Sequence, residues 1–100
     1  MKLYTKSRDR RYDANAEYDG NKVVVFKGSK INTTPGDGFN PSPEIKKIRD
    51  DIEVVDMNGV LLKDVSFSSL SAAATFVTGR VANGKMAWKT QDGRYVRYSL

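Results

Sequence analysis

The chain has 100 residues, 39% hydrophobic and 29% charged, with a net charge of +5 and a pI near 9.6. That length supports one hydrophobic core, and so a single domain over residues 1–100. With neither cysteine nor histidine, disulfides, thiolate nucleophiles, the usual zinc sites and a Ser-His-Asp triad are excluded.

Leu3-Tyr4-Thr5 opens a first strand, and Ser7 to Arg11 is too polar for core, so residues 1–11 read as a basic N-terminal strand and loop. Ala14, Ala16 and Tyr18 alternate with Asn15 and Glu17, the period of a half-buried strand. Asp19-Gly20-Asn21 turns the chain into Lys22 to Lys27, a β-branched, apolar strand that Gly28-Ser29 ends. Together these predict an antiparallel meander. Residues 32–43 hold nearly every turn-forming residue type and predict a long loop, with Phe39 as its anchor to the body.

Ser42 as N-cap and Pro43 at the first helical position start a short helix. Its apolar face is Ile45, Ile48 and Ile52, while Lys46, Lys47, Arg49 and Asp50 are expected to face water. Glu53 to Met57, Asn58-Gly59 and Val60 to Lys63 predict a second hairpin. A second helix starts at the Ser69 N-cap, places Leu70, Ala73, Ala74 and Val77 on one face, and stops at Gly79. Its small residues allow a backbone or a flat partner to approach closely. Asn83-Gly84 is expected to turn the chain into a strand, Met86 to Thr90, and Asp92-Gly93 to turn it back into Arg94 to Tyr98, a third hairpin. Trp88, the only tryptophan, belongs in or at the edge of the core.

The charge is uneven. Residues 1–11 carry five bases against one acid, and so do residues 80–97, whereas residues 44–64 sum to −2. Such polarity suits a polyanionic partner, although ordinary solubility accounts for a charge of this size equally well. No apolar run reaches the roughly 20 residues of a membrane span, and Met1 to Lys6 lacks the apolar stretch of a signal peptide. A cytoplasmic protein with no membrane partner is the default expectation.

The carboxylates Asp13, Glu17, Asp50, Asp51 and Glu53 read as solvated surface acids rather than a catalytic pair. Lys27-Gly28-Ser29-Lys30 follows a strand but lacks the spacing of a triphosphate-binding loop. The Ser68 to Ser71 helix start offers free N–H groups and hydroxyls to an anion, or Ser69 simply caps the helix. Basic and aromatic residues interleave from Arg80 to Tyr98, a pattern suited to phosphate contacts with base stacking.

The run Phe67-Ser68-Ser69-Leu70-Ser71-Ala72-Ala73-Ala74, with Gly79-Arg80, Asn83-Gly84, Trp88-Lys89 and Asp92-Gly93, resembles a small domain of unassigned function. That domain is found at the C-terminus of GIY-YIG-type nuclease proteins and in restriction–modification-associated proteins. Val24-Val25-Phe26-Lys27-Gly28-Ser29 resembles the same family's strand ending, so the likeness covers residues 14–98. The family often has proline at the position of Leu70 and an aromatic residue at that of Lys85. The nuclease module itself is not in this sequence, so no catalysis carries over. The resemblance implies an accessory module working near DNA, in plain or modified form.

The expected fold is α+β, mainly an antiparallel sheet of hairpins with two short helices packed on it. The expected function is noncatalytic DNA binding, with no cofactor and no metal, in a nuclease or restriction–modification context. Lys27, Ser29, Ser68, Ser69, Ser71, Arg80, Asn83 and Lys89 are the expected nucleic-acid contacts. The alternative is a protein-interaction domain docking through the 69–79 helix or the 32–43 loop, and an independent enzyme is the weakest reading.

Overall fold

A computed structural model describes residues 1–98. Five strands form one antiparallel sheet: β1 (Lys2–Lys6), β2 (Asp13–Tyr18), β3 (Val23–Val25), β4 (Val65–Phe67) and β5 (Lys89–Thr90), in the order β4-β3-β2-β1-β5. Helices α1 (Pro43–Arg49), α2 (Leu70–Thr78) and α3 (Gly84–Ala87) complete an α+β fold, and a 3-10 turn spans Val96–Tyr98.

Alternation in the strands decides which sheet face is buried. Leu3, Thr5, Ala14, Ala16, Val23, Val25, Val65 and Phe67 all point to the face that joins the core. The two central alanines leave room for α2, whose Ala73, Ala74, Phe76 and Val77 are fully buried. Phe76 meets Phe67 with ring centroids 4.9 Å apart, a tilted contact that fixes the helix on the sheet. Each large apolar side chain buried this way contributes roughly 1.5–3 kcal/mol, and together they offset the chain entropy lost on folding.

The caps fall where local chemistry requires them. The Ser69 hydroxyl accepts from the N–H of Ala72 at 3.0 Å, and Gly79 closes α2 at φ +74°. The Ser42 hydroxyl faces the N–H of Ile45 at 3.5 Å, with Pro43 at the first helical position.

Several expectations are corrected. α1 ends at Arg49 with Asp50 as its C-cap, so Ile52 lies beyond the helix and is 83% exposed. Arg49 does not face water. Its guanidinium is half-buried, donates to the carbonyls of Phe76 and Asn32, and lies 5.3 Å from the centroid of the Phe39 ring. Phe39 therefore anchors the loop as expected, but by packing under an arginine. The second hairpin shrinks to a Val55–Leu61 bridge, because the carbonyl of Asp51 accepts from Val54 and Val55 and coils the incoming strand into a turn.

The third hairpin is also partial. Asn83 does not begin a hairpin; its side chain accepts from the N–H of Lys85 at 3.0 Å and starts α3, which takes Met86 and Ala87. After the Asp92-Gly93 turn the returning chain makes one bridge, Lys89 to Tyr95. Val96 then drops into the core at 0% exposure, which pulls the backbone off the ladder into the 3-10 turn. Among the described residues no helix is long and apolar enough to cross a membrane.

Candidate nucleic-acid interface

The pairing of β5 with β1 joins the two basic segments. Tyr4 lies opposite Lys89 and Leu3 opposite Thr90, so the C-terminal part of the chain is laid beside the N-terminal strand. β5 is two residues long and leaves the Thr5–Lys6 end of β1 without a strand partner on that side. A cleft of about 140 Å³ opens there, where Lys6, Arg80 and Lys89 meet Tyr4, Tyr12 and Tyr95. Tyr12 and Arg80 also line a second, shallower cleft of about 530 Å³, which adds Arg8, Asp9 and Arg11. The two clefts thus share Tyr12 and Arg80 in their walls.

Five cations face one carboxylate along this groove: Lys6, Arg8, Arg11, Arg80 and Lys89 against Asp9. Arg11 pairs with Asp9 at 2.9 Å, both side chains being well exposed, so the pair is weak and competes poorly with a phosphate. A hydrogen bond from Ser7, that from the Arg11 N–H and the Arg11 charge hold the Asp9 carboxyl below the usual aspartate range, so it stays ionised. The Lys89 ammonium lies 5.0 Å from the centroid of the Tyr95 ring, a cation–π distance.

The eight residues expected to make contacts fall in three places. Arg80 and Lys89 come together in the groove. Ser68, Ser69, Ser71 and Asn83 lie around the start of α2, and three of their side-chain oxygens are taken up by the fold. Ser69 accepts from Ala72, Ser71 accepts from the N–H of Gly84 at 3.0 Å, and Asn83 accepts from Lys85. Ser68 is exposed. Lys27 is exposed beyond the end of β3, where its N–H donates to the Asp64 carboxylate at 2.8 Å. Ser29 is 3% exposed, its hydroxyl both accepting from the N–H and donating to the carbonyl of Asn15, so it is a structural tie without a surface to offer.

The close approach permitted by the small helix residues is made within the chain itself. A Cβ on Gly84 would lie 2.2 Å from the carbonyl carbon of Leu70 and 2.4 Å from the nitrogen of Ser71. The indole N–H of Trp88, fully buried, donates to the carbonyl of Leu70 at 3.1 Å. From Leu70 to Thr78 only Ser71 is exposed and Ala72 partly so, which leaves α2 little surface for a partner protein.

Lys6, Arg8, Arg11, Tyr4 and Tyr12 were not among the expected contacts, whereas Tyr95 belonged to the interleaved basic and aromatic run from Arg80 to Tyr98. The signal was the equal charge of the two basic segments, whose adjacency depends on a strand pairing between residues 3–4 and 89–90. The opposite orientations of Trp88 and Lys89 follow from strand alternation and place one in the core and the other in the groove. Among the described residues no three Asp or Glu side chains converge as a metal site would require.

The model of a family described as a domain of unknown function, DUF4357, matches residues 3–98, and the chain belongs to that family. No curated protein and no solved structure matches it.

Proposed function

We propose that this DUF4357 domain is a noncatalytic accessory module that binds DNA, serving a nuclease or restriction–modification system. One observation carries the reading: the β1–β5 pairing merges two basic segments into a groove of five cations interleaved with tyrosines. Phosphate contacts from such a groove give affinity and position, while the rings supply apolar surface beside them. Arg80 stands at the junction of the two clefts and is the central phosphate contact; Lys89 and Lys6 flank it. The setting is supported by the resemblance of the Phe67 to Gly93 motifs to domains that accompany nucleases.

The test is titration of labelled DNA, duplex or single-stranded, at about 50 mM salt, followed by a salt series. Binding should weaken steeply with salt, and Arg80→Ala with Lys89→Ala should reduce the log–log salt slope by about 2. Absence of binding to either form, or an unchanged affinity in the double variant, would sink the proposal.

A further inference from the structure

The solvent face of the sheet departs from the usual polar outer face of an antiparallel sheet. Tyr4 lies opposite Asn15 on one side and Lys89 on the other, and Lys89 bridges to Tyr95. Phe26, whose N–H donates to the Asn15 carbonyl at 2.9 Å, continues the row across β2. The row therefore reads Phe26, Asn15, Tyr4, Lys89, Tyr95, with aromatic rings at alternate places and an amide and a cation between them. Tyr4, Asn15 and Phe26 line a cleft of about 530 Å³ on this face, together with Lys2 and Gln91. Tyr4 also lines the basic groove, so this residue stands in the walls of both.

The neighbouring rows supply charge. Lys2 lies opposite Glu17 on one side, and Lys6 lies opposite Asp13, itself bridged to Lys30, on the other. With Lys89, four cations face two acids on this surface. Rings flanked by cations match the two chemical features of an unpaired strand, its exposed base faces and its phosphates. A duplex hides its base faces in the stack and cannot use the rings.

We infer that the open sheet face is a stacking platform for single-stranded DNA, whose bases lie on Tyr4 and Phe26 and whose phosphates run into the Arg80–Lys89 groove. The inference rests on the DNA-binding reading and names the form of DNA taken.

The full chain is titrated with labelled oligothymidine, oligouridine and a hairpin duplex of matched length at about 50 mM salt. Oligothymidine should bind tightest. Phe26→Leu should weaken it roughly 5- to 100-fold while leaving the duplex affinity within about twofold, and Tyr4→Leu, whose ring also lines the groove, should weaken strand binding by at least as much. Asn15→Glu keeps an exposed position and sets a negative charge between the rings, so it should abolish strand binding even if an aromatic variant fails to fold. Duplex binding equal to or tighter than strand binding overturns the inference but leaves the DNA-binding reading standing. So does strand binding unaffected by Asn15→Glu, and tighter binding of oligouridine overturns the assignment to DNA. Loss of all binding in the wild-type chain overturns both.

Discussion

The indole N–H of Trp88 reaches 3.1 Å to the carbonyl of Leu70 and ties the end of α3 to the first residue of α2. The contact is buried, and beside it Gly84 sits almost on the backbone of Leu70 and Ser71. The segment from 83 to 88 is thereby clamped on the helix start, and the clamp aims Lys89 at β1. Within the most specific motifs, Leu70, Gly84 and Trp88 thus build the support for the groove, and Arg80 and Lys89 line it.

Trp88→Phe removes the donor and leaves the Leu70 carbonyl buried without that partner, in addition to the lost ring volume. It should cost about 2–4 kcal/mol, a fall in Tm of roughly 8–30 °C for a domain of this size. Urea unfolding followed by far-UV circular dichroism checks this, and a change below about 1 kcal/mol would show that the contact is dispensable.

Gly84→Ala would be favourable by helix propensity alone, by up to about 1 kcal/mol. Contact with backbone atoms at 2.2 and 2.4 Å reverses the sign, and a loss of at least about 2 kcal/mol is expected. Gly36→Ala is the control, since nothing lies within 4 Å of its added Cβ and its φ is outside the left-handed region. That variant should be neutral or gain up to about 1 kcal/mol. Equal effects at the two positions in thermal melts would contradict the packing account.

Arg49 joins three parts of the chain: α1, the last turn of α2 through Phe76, and the start of the long loop through Asn32. Burial pushes its pKa down, and the nearby Asp50 opposes that shift. Arg49→Met keeps the aliphatic stem but leaves two carbonyls without their donor, and should cost about 2–3 kcal/mol. Arg49→Lys should recover only part, because an ammonium cannot reproduce the planar fork. Limited proteolysis should speed up between residues 33 and 41 in both variants; an unchanged cleavage pattern would separate Arg49 from loop anchoring.

Asp19 accepts from the backbone N–H groups of Lys22 and Asn21, each at 2.8 Å, and these bonds hold its carboxyl below the ordinary range. A folded-state pKa below the unfolded one gives stability that is present above roughly pH 4 and lost as pH falls through the lower folded value. Asp19→Asn retains an acceptor oxygen but cannot titrate. Its Tm should therefore fall less than that of the wild type between about pH 4 and pH 2. Parallel curves would remove Asp19 from the acid response.

Much of the fold was legible in the sequence because it depends on local chemistry. Alternation at Leu3 and Thr5, Ala14 and Ala16, and Val23 and Val25 set the strands and their buried face. Ser42, Ser69 and Gly79 set helix ends through their own hydrogen bonds and φ angles. Tertiary contacts decided the rest. Arg49 leaves water because carbonyls from residues 32 and 76 converge on it. Asn83-Gly84 opens a helix rather than a hairpin because Leu70 lies against Gly84, and Val96 abandons its strand for the core. The groove belongs to the same class: Lys6 and Arg80 become neighbours only because residues 3–4 pair with residues 89–90. Local pattern is written in adjacent side chains, whereas that pairing is a balance of backbone hydrogen bonds and core burial between segments more than eighty residues apart.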